Sequence, residues 1–349
     1  MMVWLIIIQI SLIALLAINK SIKLDRQLGI ILFTILCFFS IFRINVGSDF
    51  NNYWNVKEYL QRIPATNVFT DIIFNNLVKF VFNYDISPRW IFVLSSTITF
   101  INIGYFLNKT SKNIILSFMI FTFFPLFYAT SLSIIRQYIA ISFFLIAIIF
   151  IYERNWRKYL LAILLGFGFH SSIILLLPFY FINRIKFNIP IVVLLIIFSV
   201  FLKFYGLELL KAIPIFDRYM IYIINKWGPG YINYFILFNA LLMLLTFLFI
   251  YFEKNNNIDG FERTLYKIYL FGALLYGPLM FSEPATRICL YMIITLIVLI
   301  PNIVSKFRNQ ALICYFISIL LMCYFSYILY KDYYNGPVGF NVIPFEIGL

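Results

Sequence analysis

The sequence lacks the motifs of several enzyme classes. It has a single histidine and contains no Asp-x-Asp pair, no phosphate-binding glycine loop and no Gly-x-Ser-x-Gly element. A histidine-based metal centre, a metal-held nucleotide sugar, ATP hydrolysis and serine hydrolysis are therefore without support. We expect no metal and no cofactor, and we expect a substrate that arrives already activated.

Cysteine is scarce as well. Its four residues stand singly in apolar sequence, at Cys37, Cys289, Cys314 and Cys323. None belongs to a Cys-x-x-Cys pair, and none has the histidine nearby. We interpret all four as small packing residues.

Charged residues are also few. They make up 12% of the 349 positions, whereas 63% are hydrophobic and the mean hydropathy is +0.94. A soluble domain of this size could not cover so many Leu, Ile and Phe side chains. Only helices or closed barrels satisfy the backbone in lipid, and long uninterrupted apolar runs favour helices.

We therefore predict an all-α fold, a polytopic transmembrane helical bundle with about 11 or 12 spans. We expect a single integral membrane domain over 1–349. The predicted helices lie near 2–18, 27–42, 89–107, 113–129, 133–152, 158–182, 189–206, 231–252, 264–281, 286–304 and 311–330.

The net charge of +13 would suggest nucleic acid binding in a soluble protein, but most lysines and arginines here stand in short loops. Such residues set membrane topology, so we expect no nucleic acid partner. The basic connectors 19–26, 108–112 and 153–158 follow every second predicted span, so all three lie on the same side of the membrane. Basic loops are typically cytoplasmic, which predicts that these connectors are cytoplasmic and that the amino terminus is outside. Segment 43–88 is then external.

Strict alternation fails further along the chain, because it would place the basic connectors 183–188 and 305–310 outside. One extra crossing or re-entrant turn restores the parity. The best candidate is 158–182, which is long for one span and carries His170 between glycines and a proline, so we predict a broken or re-entrant helix there. The other external segments are then 207–230 and 331–349.

Within the first external segment, Thr70 to Phe82 has the apolar spacing of an amphipathic helix. Such a helix either lies on the membrane surface or caps a cavity. The sequence leaves both placements open.

Two ionisable residues, Arg136 and His170, are set in sequence that should lie in the bilayer. An ionisable group there costs roughly 2.5 to 3.5 kcal/mol even on lenient insertion scales. The functional explanation is a polar cavity for a charged or hydroxylated substrate, to which Gln137 would contribute. The structural alternatives are an arginine that snorkels near a helix end and a histidine satisfied inside the core. We interpret the stretch 131–181 as the floor of a site.

A second candidate begins where the second predicted span leaves the membrane. Arg43 would present a planar fork to phosphate or sugar oxygens, Asp49 would supply a carboxylate near it, and Gly47 would make the turn. Tyr53 follows in the same segment. The structural alternative is an interfacial arginine paired with an aspartate, and both interpretations stay open.

The pattern of arginine followed by tyrosine recurs at predicted external faces, as Arg218-Tyr219 and as Arg287-x-x-x-Tyr291. Each pair alone is a weak signal. Together with Arg43 and Arg136, however, these arginines would form a clamp for a diphosphate, because guanidinium–phosphate pairing survives partial burial.

Three motifs occur in order along the chain: Arg43…Gly47-Ser48-Asp49…Tyr53, then Arg136-Gln137-x-x-Ala140, then Gly168-Phe169-His170-Ser171-Ser172 with Pro178. In this combination the sequence resembles the EpsG-type family of bacterial polysaccharide polymerases, related in role to the Wzy polymerases of O-antigen and capsule. The closing Ile343-Pro344-Phe345 is also similar to that family's tail, although the family more often has Pro-Tyr. Ser48 stands where threonine is commoner.

The resemblance implies a GT-C-like multi-pass glycosyltransferase in the cytoplasmic (inner) membrane of a bacterium. It implies a reaction on the outer face, where oligosaccharide repeats carried on undecaprenyl diphosphate are joined into capsular, O-antigen or exopolysaccharide chains. The implied partners are that lipid-linked oligosaccharide, membrane lipid, and a chain-length regulator and flippase of the same pathway.

In this reading, arginines stabilise the departing lipid diphosphate. His170, or Asp49 as second choice, deprotonates the acceptor hydroxyl. Two rival functions stay open. A flippase or exporter of lipid-linked glycans would use the same arginines for binding without chemistry. A membrane acyltransferase would again use His170 as a base, but the sequence offers no candidate for its cytoplasm-facing acyl-donor site.

Overall fold

Helices make up almost all of the structure, a computed structural model that describes residues 2–15, 22–56, 60, 71–186, 189–211, 235–254, 258–279, 283–335 and 346–347. The helices before the predicted break are α1 (Met2–Leu15), α2 (Ile22–Phe42), α3 (Phe50–Trp54), α4 (Ile72–Asn83), α5 (Arg89–Thr110), α6 (Ile114–Phe123), α7 (Tyr128–Ser133), α8 (Ile135–Tyr152) and α9 (Trp156–Phe167). A 3₁₀ helix, Ser171–Arg184, comes next. The remaining helices are α10 (Ile189–Lys211), α11 (Phe235–Lys254), α12 (Gly260–Tyr276), α13 (Glu283–Ile293), α14 (Leu296–Val304) and α15 (Gln310–Asn335).

The prediction of an all-α polytopic membrane bundle is confirmed. Each predicted apolar run contains helix, and six helical stretches of the described chain are long and apolar enough to cross a membrane. Shorter apolar helices accompany them. One predicted run, 113–129, is divided into α6 and α7, because Pro125 forces the preceding Phe124 into an extended conformation that ends the helix.

The chain divides into two compact units, one formed by Met1–Leu177 with Ile297–Leu349 and the other by Pro178–Leu296. In the first unit α8 packs against α5 and α9, and α2 packs against α5 and α6. In the second unit α12 packs against α10, α11 and α13. The predictions of a single membrane domain and of the external segments 43–88, 207–230 and 331–349 stay predictions.

The first unit also contains a short antiparallel pair of strands, β1 (Arg43–Ile44) and β2 (Glu346–Ile347). Arg43 pairs with Ile347, and Ile44 pairs with Glu346. The pairing brings the tail of the chain to the end of α2, beside the start of the predicted external segment 43–88.

The predicted break near His170 is present. Helix α9 ends at Phe167, and after the turn the Oη of Tyr159 donates a hydrogen bond of 2.6 Å to the carbonyl oxygen of Leu176, 17 residues further along. In a continuous helix these residues would stand about 26 Å apart, so the chain must fold back beside α9. Glycine at 166 leaves room for the close approach, because a Cβ there would lie 2.5 Å from Ile173 Cδ1. His170 therefore sits at the turn of a helical hairpin.

The predicted amphipathic helix is also confirmed, as α4. Its buried face is formed by Phe74, Val78 and Val81, spaced as one face of a helix. That face belongs to a core cluster with residues of α3, of the first turns of α5 and α8, and of the hairpin turn: Phe50, Tyr53, Ile91, Phe92, Ile135, Ile139 and Phe169. Helix α4 thus packs across the ends of α5 and α8.

Candidate functional site

Arg136 and His170 meet at one carboxylate, that of Asp71. The Nη1 atom of Arg136 lies 2.8 Å from Asp71 Oδ2, and the same oxygen lies 3.6 Å from His170 Nδ1. Arg136 also donates from Nε to the Oη of Tyr53 at 3.0 Å. Its Cζ stands 5.8 Å from the centre of the Phe74 ring, within cation–π range. The structure therefore brings together three sequence-predicted site residues and one aspartate that the sequence did not single out.

The backbone places Asp71 for this contact. Asp71 directly precedes α4 with φ +55°, a left-handed conformation that aspartate adopts more readily than most residues. Its Oδ1 accepts the backbone N–H of Ser171 at 2.8 Å. The carbonyl oxygen of Gly168 in turn accepts the N–H groups of Ile73 and Phe74 at 2.7 and 3.2 Å. The first turn of α4 and the hairpin turn are thus tied together by both backbone and side chain.

The cluster is half open to its surroundings. The side chain of Asp71 is 9% exposed, against 32% for Arg136 and 26% for His170. The Nδ1 atom of His170 is buried and has no hydrogen-bond partner within the described residues. Its distance to Oδ2 exceeds the usual hydrogen-bond range, so the carboxylate faces Nδ1 without a formed bond. The cluster places a partly exposed guanidinium and a partly exposed imidazole on either side of one carboxylate, which suits an anionic, hydroxyl-bearing ligand.

Arg43 lies elsewhere in the first unit and is 1% exposed. Its Nε donates to the carbonyl oxygen of Val46 at 3.1 Å, Nη2 to that of Leu132 at 3.2 Å, and Nη1 to Ser40. Burial lowers the pKa of Arg43 to about 10, which leaves the guanidinium charged at neutral pH. In this conformation Arg43 fastens the turn after α2 to the end of α7, and its contact with substrate stays a prediction.

The neighbouring Gly47 explains why this turn is tight. Its φ is +91°, and a Cβ at this position would overlap the carbonyl oxygen of Leu132 and lie 2.6 Å from the carbonyl carbon. Asp49 follows, half-buried, at the first position before α3, and the nearby Arg43 experiences its charge. The turn therefore sets the start of α3, which carries Tyr53 to Arg136.

The remaining predicted site residues are distributed as follows. Gln137 is 5% exposed and follows Arg136 in α8. In the second unit, Arg287 is half-buried in α13 and Tyr291 is fully buried there. Arg218 and Tyr219 lie outside the described residues, as does the tail motif 343–345. The convergence of the four arginines on one diphosphate stays a prediction.

Sequence reasoning missed Asp71, although two signals point to it. The chain has only 14 acidic residues, so each carboxylate beside an apolar segment stands out. Asp71 also stands in the first turn of the predicted amphipathic helix, Thr70 to Phe82. Within the described ranges, no group of three or more His, Cys, Asp or Glu residues could hold a metal ion.

Comparison with known families gives one match that spans most of the chain. The model described as the EpsG family matches residues 26–347. Neither the curated proteins nor the solved structures contain a match.

Proposed function

Since the chain belongs to the EpsG family and is an exopolysaccharide-related membrane protein, we propose that it is a membrane glycosyltransferase that polymerises lipid-linked oligosaccharide repeats. The donor is a glycan attached to undecaprenyl diphosphate, and the acceptor is a sugar hydroxyl of the next lipid-linked repeat. Polymerisation takes place on the outer face of the cytoplasmic membrane.

The observation that supports this proposal is the cluster around Asp71. Two ionisable residues from predicted membrane sequence, Arg136 of α8 and His170 of the hairpin turn, face the same carboxylate. Ionisable groups at membrane depth are costly, and a shared polar site accounts for both. The two groups also match the two needs of the reaction, which are to stabilise a departing diphosphate and to remove a proton from a hydroxyl.

In the proposed mechanism Arg136 pairs with the lipid diphosphate, because a guanidinium fork matches phosphate oxygens and neutralises charge that grows as the bond breaks. His170 accepts the proton of the acceptor hydroxyl. The new bond forms between that oxygen and the anomeric carbon. The bond from the anomeric carbon to the diphosphate breaks, and its electron pair leaves with the lipid diphosphate.

The test is turnover by purified protein in lipid vesicles supplied with a lipid-linked repeat. Wild-type protein is expected to give a ladder of lengthened glycans, whereas His170→Ala at equal abundance gives mainly single repeats. A general base contributes roughly 10² to 10⁴ in rate, which sets the expected loss.

Two outcomes would favour the rival functions. Movement of the lipid-linked repeat across the vesicle membrane without lengthening would indicate a flippase or exporter. Transfer of an acetyl group to the glycan from acetyl-CoA would indicate an acyltransferase. Either result, in the absence of lengthened glycan, overturns the polymerase proposal.

A further inference from the structure

We infer that Asp71 is a positioning residue that holds His170 in the tautomer with its proton on Nδ1, leaving Nε2 to accept a proton from the substrate. The inference rests on the proposed function for its role in turnover. The state of the imidazole itself can be measured independently of turnover.

The first step concerns the direction of the imidazole. Nδ1 is buried and its nearest carboxylate oxygen is Asp71 Oδ2, at 3.6 Å. A neutral imidazole carries its proton on one nitrogen and a lone pair on the other, and a carboxylate opposite Nδ1 favours the proton there. Since Nδ1 is buried, the exposed quarter of the side chain belongs to its other atoms.

The second step concerns the carboxylate, both of whose oxygens accept a hydrogen bond. Oδ1 accepts the N–H of Ser171 at 2.8 Å, and Oδ2 accepts from Arg136 at 2.8 Å. These bonds fix the plane of the carboxylate. Oδ2 also faces His170 Nδ1 at 3.6 Å. A small movement of the imidazole therefore brings these two atoms within hydrogen-bond distance. Catalytic hydrogen bonds that are long without substrate commonly tighten in the complex.

The third step is the proton transfer. The acceptor hydroxyl gives its proton to Nε2 as its oxygen bonds to the anomeric carbon, and the lipid diphosphate leaves with the electron pair. The resulting imidazolium, protonated on both nitrogens, faces the Asp71 carboxylate and is stabilised by it. Asp71 touches neither substrate and takes no proton, which is the orienting role of the acid in a carboxylate–histidine pair.

Asp71→Asn is the informative variant. Asparagine tolerates the left-handed backbone and keeps an oxygen for the N–H of Ser171. Its amide N–H then points at Nδ1 and favours the opposite tautomer, with the proton on Nε2. The matched control is Asp85→Asn, because Asp85 is an exposed aspartate that follows the other end of α4 and also has a positive φ, +49°.

The direct test is nitrogen NMR on protein with isotope-labelled histidine. His170 is the only histidine in the chain, so a protein carrying a histidine-free tag gives a single pair of imidazole signals. In the neutral form, wild type and Asp85→Asn are expected to show the proton on Nδ1, and Asp71→Asn to show it on Nε2. A wild-type imidazole with its proton on Nε2 would overturn the inference without any variant. So would an Asp71→Asn spectrum with the wild-type tautomer.

The kinetic test asks whether Asp71 acts through His170. Asp71→Asn is expected to lower kcat by about tenfold to 10⁴-fold, because the base is left in the wrong tautomer. Since the variant also removes the ion pair with Arg136, KM for the lipid-linked donor is expected to change as well. In a His170→Ala background, Asp71→Asn should lower kcat no further. Losses that multiply in the double variant, or a wild-type kcat for Asp71→Asn, would contradict the positioning role.

The two hypotheses fail separately. A wild-type protein that never lengthens the glycan refutes the proposed function, and the NMR experiment still decides whether Asp71 orients His170. If wild-type protein lengthens the glycan but Asp71→Asn keeps the wild-type tautomer, the proposed function stands and the positioning role of Asp71 is refuted.

Discussion

Arg43 and Arg136 differ in what surrounds their guanidinium groups. Arg43 is 1% exposed, and its donors meet the Ser40 hydroxyl at the end of α2 and carbonyl oxygens of the turn after α2 and of the end of α7. Arg136 is a third exposed and meets a carboxylate and a phenol. Substitution of Arg43 should therefore act first on stability, whereas substitution of Arg136 should act first on turnover.

Arg136→Lys is expected to shorten the polymer at normal protein abundance. Lysine keeps the charge but loses the planar fork that reaches Tyr53 and Asp71 together. Removal of a single oriented donor to a developing charge commonly costs roughly 10² to 10³ in rate. Polymer length on a gel, read beside membrane abundance, measures the effect.

Arg157→Lys is the matched control, because Arg157 is exposed at the start of α9 and contacts only the neighbouring Trp156 ring among the interactions described. It should leave polymer length unchanged. Wild-type polymer from Arg136→Lys would leave the snorkelling interpretation of Arg136 in place.

Gly47→Ala is expected to destabilise the protein. The new methyl group would overlap the backbone of Leu132, and the residue would keep a φ of +91° that alanine rarely adopts. Strain of this kind costs about 1 to 3 kcal/mol before the overlap is counted. Thermal unfolding in detergent, together with membrane abundance, measures the loss.

Gly104→Ala supplies the comparison for this experiment. A Cβ at Gly104, within α5, meets no atom within 4 Å. Because alanine is the better helix former, this variant should be neutral or more stable by up to about 1 kcal/mol. Equal stabilities for the two alanine variants would refute the geometry of the turn at Gly47.

At the scale of elements, the site depends on how α4 docks on the hairpin turn. The hairpin presents His170, α4 begins directly after Asp71, and the two are tied through Gly168. Neither element makes the cluster alone. The long 3₁₀ helix after the turn is unusual, since such helices are commonly only a few residues long, and it begins with the N–H that Asp71 accepts.

Gly168→Ala is expected to separate α4 from the hairpin turn and so to reduce turnover. A Cβ there would overlap Ile73 Cδ1 and lie 2.5 Å from its Cγ1. Ile73 is 40% exposed, so its truncation to alanine costs little. The double variant Gly168→Ala/Ile73→Ala should therefore recover much of the turnover that the single variant loses. Failure of the double variant to recover, at normal abundance, would speak against this docking.

At the scale of the whole molecule, the first unit has two opposite ends. Helix α5 has 22 residues and is about 33 Å long, close to the roughly 30 Å core of a bilayer. Asp85 lies shortly before the first residue of α5, Arg89. At the opposite end, Lys109 in the last turn of α5 pairs with Glu153 of the α8–α9 connection at 2.7 Å. Asp71 and His170 lie at the end where α5 begins, the predicted outer face.

Cysteine labelling in intact cells tests this orientation. In a background lacking the four native cysteines, Asp85→Cys is expected to react with a membrane-impermeant reagent. Arg157→Cys lies at the start of α9, on the predicted cytoplasmic side, and is expected to react only after permeabilisation. The reverse pattern would place the Asp71 cluster on the cytoplasmic face and contradict the proposed site of polymerisation.

Much of the fold could be predicted from the sequence, because lipid imposes strong constraints on composition. Apolar runs of spanning length located the helices, and the amphipathic spacing located α4. The basic connectors after 182 violate strict alternation of the spans, and glycines flank His170. Together these two signals predicted the break near His170, which the hairpin confirms. The run 113–129 is divided at Pro125, because a proline keeps the preceding residue out of the helical conformation.

The sequence by itself determined that this is a helical membrane protein, that its chain breaks near His170, and that Arg136 and His170 are costly where they stand. These follow from composition and local spacing, which do not depend on distant partners. Only the tertiary structure decided that Asp71 joins those two residues and that Arg43 is enclosed by backbone carbonyls. The contacts of Asp71 join residues from 65 to 100 positions apart. They arise from the packing of α4 on the hairpin turn, which no local pattern encodes.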